Sequence, residues 1–206
     1  MELYSFDLSS QQEEIAKKIY NESLVFDGLG NWGTLDNINS VDGIISGGIN
    51  AMNVTINVSK HDFNKAIDRV IKYKKIIKDN SDKLVLVNTI EDFKKAKNEK
   101  KLAIVFLFQD SVAIGNNLEY LDVFHKLDVK VIQLAYNDQN FIGSGCCELF
   151  YSKLTNFGRE VVRRMNELGM VIDLSHCSEE TTLDAIEVSK VSVNFSGVVK
   201  RKSIYI

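Results

Sequence analysis

Two spacings of apolar residues take turns along the chain, and together they predict strands alternating with helices. Residues 102–108 read LAIVFLF, seven apolar positions without a break. A run that short, apolar on both faces, fits a central parallel strand covered from either side. Residues 24–26, 129–134 and 170–174 are shorter runs of the same kind, and 84–87 adds a further short one. Between them the spacing changes to three and four. Phe157, Val161, Val162, Met165 and Leu168 line one face of a predicted helix that ends at Gly169, where a left-handed cap is expected. Residues 60–78 repeat the pattern with Phe63, Ala66, Ile67, Val70, Ile71 and Tyr73 as the buried side. Residues 10–21 do so with Ile15 and Ile19 facing inward. Thr89 to Asp92 has the spacing of a capping arrangement ahead of a helix over 90–98. Helices over 118–127 and 178–189 complete the series, the last opened by Ser178 with Glu179 and Glu180 in its first turn.

Strand–helix alternation of this kind specifies an α/β fold with a parallel sheet, whose chemistry is expected just beyond the carboxyl ends of the strands. Polar residues gather there. Asp27-Gly28-Leu29-Gly30-Asn31 follows the first run, Gln109-Asp110-Ser111 the longest, and Tyr136 to Asn140 the run at 129–134. Asp173, Ser175 and His176 close the run at 170–174. By residue type alone, a single histidine at a strand end is more often a satisfied structural group than a metal ligand. His61 and His125 are expected at the surface or its boundary. The glycines of Ile142-Gly143-Ser144-Gly145 lack the strand–GxGxxG–helix setting of a dinucleotide site and the lysine of a P-loop.

Composition narrows the function classes. The chain has 206 residues, 45% hydrophobic and 26% charged, with a net charge of −3. That balance is ordinary for a globular domain and offers no basic surface to nucleic acid or an anionic membrane. No apolar run approaches the roughly 18 residues of a membrane span. The first residues hold no basic segment ahead of an apolar core, so a cytoplasmic protein is expected. The 3 cysteines form no disulfide framework. Adjacent Cys146 and Cys147 are too strained to bridge ordinarily, and Cys177 is expected as a packed free thiol. Proline is absent, which beside many Asn, Lys and Ile residues reads as a compositional habit.

The segment LTNFGREVVRRMNELGMVIDLSH, from Leu154 to His176, resembles the most recognisable stretch of the membrane (renal) dipeptidase family, a group of zinc-dependent (β/α)8 barrels. The resemblance runs over roughly residues 20–197. It implies an incomplete TIM-type (β/α) barrel with about six of eight strands, the second entered through Gly47-Gly48 and the sixth at 193–197. It also implies one truncated domain over residues 1–206, with 198–206 an aberrant tail. The family's D-L-S-H histidine is a zinc ligand, which carries over to His176. Elsewhere the chain departs from the pattern. Leu29 and Asn31 stand where D-G-H-x-D supplies a ligating His and Asp, Gln109 where a Glu bridges two metals, and Gly197 where another His binds zinc. Tyr136 replaces a substrate-contacting His. The D-G-L and F-Q pairs together are similar to one branch of the family, which makes the departures an inherited set. The resemblance thus leaves His176 and Gln109 as candidate metal residues, and Asp27, Asn31, Tyr136 and Asn140 as candidates for substrate binding.

Stable zinc sites use three or four protein ligands, and one histidine with one neutral amide falls short of that. Zinc is therefore expected to bind weakly or not at all, and no catalytic residue is assigned. The expected function is that of a dipeptidase-like protein with a degenerate metal site and weak or no hydrolysis. The alternative is a metal-free module for a small peptide or amide, or a truncated gene product without function. Uncovered sheet edges would invite a second copy of the chain.

Overall fold

The computed structural model describes residues 7–30, 33–58 and 61–196. Six strands form one sheet: β1 (Phe26–Gly30), β2 (Ala51–Asn57), β3 (Leu84–Leu86), β4 (Leu102–Phe108), β5 (Val129–Gln133) and β6 (Val171–Asp173). All pair in parallel, in the order β1-β2-β4-β5-β6. β3 pairs with the first half of β4 (Leu84 with Leu102) and β5 with its second half (Phe108 with Ile132), so these two share one edge of β4. The sheet curls into a half-barrel of the TIM type. Among the described residues, seven α-helices connect or flank the strands: α1 (Ser10–Glu22), α2 (Asn39–Ser46), α3 (Phe63–Asp79), α4 (Ile90–Asn98), α5 (Glu119–Lys126), α6 (Asn156–Leu168) and α7 (Glu179–Val188).

The unbroken apolar run of β4 follows from its being covered twice. Leu102, Ile104, Phe106 and Phe108 pack on the convex side with Val70 and Tyr73 of α3, Phe124 of α5 and Val161 and Met165 of α6. Ala103, Val105 and Leu107 face the concave side, where Ala51, Val131 and the α4 residues Phe93 and Ala96 meet them. Side chains alternate along a strand, so both faces must be apolar if both are buried. All seven residues of β4 are buried. On the concave side a cavity of about 530 Å³ remains between α4 and the sheet, walled by Phe26, Phe93, Val105, Val131 and Val171.

Helix ends obey local chemistry. Thr155 caps α6 by accepting the Gly158 N–H at 2.8 Å, and Gly169 ends it in the left-handed region at φ 68°. Ser178 caps α7 by accepting from Thr181 at 3.2 Å. Thr89 and Asp92 form the reciprocal capping arrangement that starts α4.

Four sequence expectations differ from the structure. Ile15 and Ile19 are exposed, and α1 buries no residue; a helical stripe states which face would be buried, not that a surface exists to receive it. The first strand begins at Phe26 and runs to Gly30, so Leu24 precedes it, and both Leu24 and Phe26 are exposed at an edge that, among the described strands, pairs with β2 alone. Ile71 is 59% exposed because its neighbours Val70 and Tyr73 take the interface. Of the expected sixth strand at 193–197, the described residues 193–196 make only one parallel bridge, Asn194 with Asp173, and β3 is the sixth strand of the sheet. Gly197 and the segment 198–206 lie outside the described residues. Among the described residues no helix is long and apolar enough to cross a membrane.

Phe106 and Ile172 are fully buried. In denaturant melts Phe106→Ala is expected to cost about 3–5 kcal/mol and Ile172→Ala about 2–5 kcal/mol. Ile71→Ala should stay within about 0.5 kcal/mol; equal losses at all three sites would mean that the convex core is assigned wrongly.

Candidate functional site

β4, β5 and β6 end side by side, and the residues that follow them make a polar rim. Gln109 leaves β4 with its N–H on the Asn57 carbonyl at 2.9 Å, which ties it to the end of β2. Tyr136 follows β5, and His176 follows β6 by three residues.

His176 is held from three directions. Its ring stacks on Tyr136 with centroids 4.2 Å apart. Its Nδ1 lies 2.8 Å from Asn137 Oδ1, and the Cys146 thiol donates to the same oxygen at 3.7 Å. An amide oxygen only accepts, so Nδ1 carries the ring proton and Nε2 keeps its lone pair. Burial lowers the imidazole pKa, which the Asp173 charge partly opposes. The neutral ring is thereby favoured at pH 7. Both His176 and Asn137 adopt positive φ, each at 62°. Such backbone persists only where its surroundings over-determine it, and here the His176 carbonyl accepts the Cys146 N–H at 2.8 Å while Gly145 bridges Cys177. Gly145 is required at that crossing, because a Cβ would sit 2.1 Å from the Asn137 carbonyl carbon.

Asp110, next to Gln109, is 3% exposed. Burial raises its pKa to about 6, against the hydrogen bonds from Val112 and Asn140 that lower it. Asn140 knits this corner together. Its Nδ2 donates towards Asp110, Ser111 and Leu134, and its Oδ1 accepts from Ile142 and Gly143. Cys177 is a free thiol whose pKa burial pushes up to about 12, so by itself it stays protonated at neutral pH. The Cys146 and Cys147 sulfurs lie 4.0 Å apart and are not bonded.

Of the residues singled out by sequence, Gln109, Tyr136, Asn140 and His176 lie at the carboxyl ends of adjacent strands, and Tyr136 and His176 touch. Asp27 lies lower. Because β1 continues to Gly30, Asp27 pairs with Met52 near the start of β2, and its carboxylate accepts the Leu29 N–H at 3.0 Å. Asn31 lies outside the described residues. Sequence reading did not single out Asn137, which orients His176, or the buried amides Asn57 and Gln133.

Zinc needs three or four donors converging on one point. Among the described residues no group of three or more His, Cys, Asp or Glu is placed to hold a metal ion. Leu29 and Gly197 bring no side-chain donor, and Gln109 and Asn31 bring neutral amides.

Comparison with known proteins places these features in context. The family pattern that matches is membrane dipeptidase (peptidase family M19), over residues 33–202. Dipeptidase tcpJ of Claviceps purpurea (strain 20.1) is 33% identical over 118 residues, which are 56% of this chain and 28% of that protein. Dipeptidase 3 of Mus musculus is 34% identical over 105 residues, 48% of this chain and 21% of that one. An amidohydrolase structure from Pseudomonas aeruginosa superposes with a TM-score of 0.81 at 34% identity, covering 87% of this chain and 54% of that one. The chain thus spans about a quarter of the length of these curated relatives and about half that of the solved structure.

The two carboxylates Asp110 and Asp92 should titrate apart. Asp92 accepts the Thr89 and Asn88 N–H groups, which lower its pKa below the usual 3.8, whereas Asp110 should show a midpoint near 6 in carboxyl 13C NMR. With a folded pKa above the unfolded one, Asp110 binds its proton more tightly in the native state. Its contribution to stability is therefore full below pH 4 and declines as pH rises from about 4 to 6, by up to about 3 kcal/mol. A midpoint near 4 would show that the Asp110 pocket is open to water.

Proposed function

Since the chain belongs to the membrane dipeptidase family (peptidase family M19), we propose that it is a dipeptidase-like protein that keeps a cleft for a small peptide or amide and has lost most of the zinc chemistry. The family is one of metallopeptidases, in which a bound cation activates water for attack on the peptide carbonyl. Two dications held close together repel strongly, and a bridging carboxylate with several further ligands is what offsets that repulsion. The observation that carries the reading is the surroundings of His176. Its neighbours are the Tyr136 ring and the Asn137 amide, and among the described residues it belongs to no group of three or more His, Cys, Asp or Glu placed to hold a metal ion.

The residues that remain suit binding better than hydrolysis. A neutral His176 with a free Nε2 lone pair accepts a hydrogen bond from an N–H or O–H group, the Tyr136 hydroxyl both donates and accepts, and the Gln109 amide does the same. A cytoplasmic location and a small peptide or amide as the bound partner belong to this reading.

The test is metal content and turnover. Protein purified without added zinc should carry far less than one zinc per chain by plasma mass spectrometry. Dipeptide hydrolysis with zinc added should be no faster for the unaltered chain than for His176→Ala. The triple substitution Leu29→His, Asn31→Asp and Gln109→Glu should raise zinc affinity, because it restores donors, without restoring full turnover. Robust hydrolysis that chelator abolishes in the unaltered chain would sink the proposal.

A further inference from the structure

The cavity inside the curl of the sheet takes no part in the rim described above. Its volume is about 530 Å³, within the roughly 300–1,000 Å³ of sites that enclose small molecules. Val105 and Val131 lie midway along β4 and β5, and Val171 opens β6. The cavity therefore sits below the strand ends, and Gln109, Tyr136, Asn140 and His176 do not line it.

Its walls are flat and apolar. Val131 pairs with Val171, so both point to the same face of the sheet, and Val105 stands beside them on β4. Across from this surface is Phe93 of α4, whose ring meets that of Phe26 edge to face with centroids 6.0 Å apart. A planar ring fits a slot with strand valines on one side and an aromatic residue on the other. Val171 faces the cavity and is nonetheless 39% exposed, so that side is open to entry.

One polar group is set into the apolar wall. Asn53 on β2 pairs with Val105 and shares its face, and it is 3% exposed. The Gly28 carbonyl, 2.8 Å away, only accepts; it fixes Asn53 Nδ2 on its own side and turns Oδ1 away. Asn53 Oδ1 is buried and has no hydrogen-bond partner among the described residues. An acceptor in that state is costly, and native folds seldom leave one unexplained. An N–H or O–H on a molecule in the cavity supplies the missing donor. Charge adds a second condition. Lys130 is the one charged residue in the described lining, and it disfavours a cation there.

We infer that this cavity binds a small aromatic molecule, neutral or anionic, whose ring lies between Phe93 and the valines and whose N–H or O–H donates to Asn53 Oδ1. Indole and phenol carboxylic acids have these features. The site is separate from the dipeptidase-like cleft at the rim and stands or falls without it.

Indole-3-propionate, 1-benzothiophene-3-propionate and tryptamine test the requirements one at a time. The second compound replaces the ring N–H by sulfur at nearly the same shape, and the third keeps the indole but reverses the charge. Each is titrated into the full chain while the valine methyl groups are followed by 13C NMR. Indole-3-propionate should bind at least about fivefold more tightly than either of the others, and it should shift the methyl signals of Val105, Val131 and Val171. In Asn53→Leu its advantage over the benzothiophene acid should fall below about twofold. Val171→Trp fills the open side of the cavity and should weaken the indole acid at least about tenfold. Because Val171 is partly exposed, this variant keeps the test decisive if Asn53→Leu fails to fold. Equal affinity for the indole and benzothiophene acids means that water suffices for Asn53, and overturns the inference. Tighter binding of tryptamine, or binding that leaves the three valines unshifted, overturns it as well. So does the absence of binding, and sedimentation of the same sample then shows whether a second copy of the chain covers this face instead.

Discussion

Burial of β4 on both faces is the constraint from which the rest of the arrangement follows. A strand in that position has no exposed side, so its neighbours must supply an apolar layer above and another below. The convex layer comes from α3, α5 and α6, and it makes the strand–helix units stack as they do. The concave layer is thinner and comes from α4 and from Val131 and Ala51 on adjacent strands. Because the pairing is parallel throughout, every strand delivers its carboxyl end to the same rim. The polar residues of distant segments meet there for a geometric reason, whatever chemistry they perform.

The rim itself is organised by a second, polar constraint. Asn137 and His176 both occupy left-handed backbone, and each is stabilised through contacts to the other's loop. The close approach at Gly145 lets the two loops cross. One amide oxygen on Nδ1 selects the histidine tautomer, and burial keeps the ring neutral. That is the arrangement a metal-binding histidine needs, with its second nitrogen oriented by a hydrogen bond. It serves equally well for a histidine that accepts a hydrogen bond from a ligand.

Replacing carboxylates by amides changes the electrostatics of a cleft more than its shape. A carboxylate bridging two cations contributes charge, whereas glutamine in the same place contributes a dipole with both a donor and an acceptor. A neutral Gln109 draws cations less than a carboxylate would, and its side chain lies outside the apolar clusters that hold the half-barrel together. Fold and chemistry are therefore separable here, as is general for sites grafted on a scaffold.

Much of the fold was legible in the chain itself. LAIVFLF, read as one strand over 102–108, is β4 to the residue, and the Thr-x-x-Asp spacing before 90–98 marks the start of α4. Gly169 and Ser178 end and begin helices because cap chemistry is local and needs no tertiary partner. The resemblance at Leu154–His176 likewise identified the family, since it rests on contiguous residues. Contacts between distant segments were not legible. Whether the apolar stripe of α1 finds a surface, and whether 84–86 or 193–197 joins the sheet, depends on which edge lies free after the other strands have paired. The extension of β1 to Gly30, which sets Asp27 low in the sheet, depends on its pairing with β2. The same holds for the rim. Composition of the strand ends named Gln109, Tyr136 and His176, but only the crossing of two loops showed that Asn137 holds the histidine. Local rules act within a few residues, whereas register and burial are settled by the whole sheet at once.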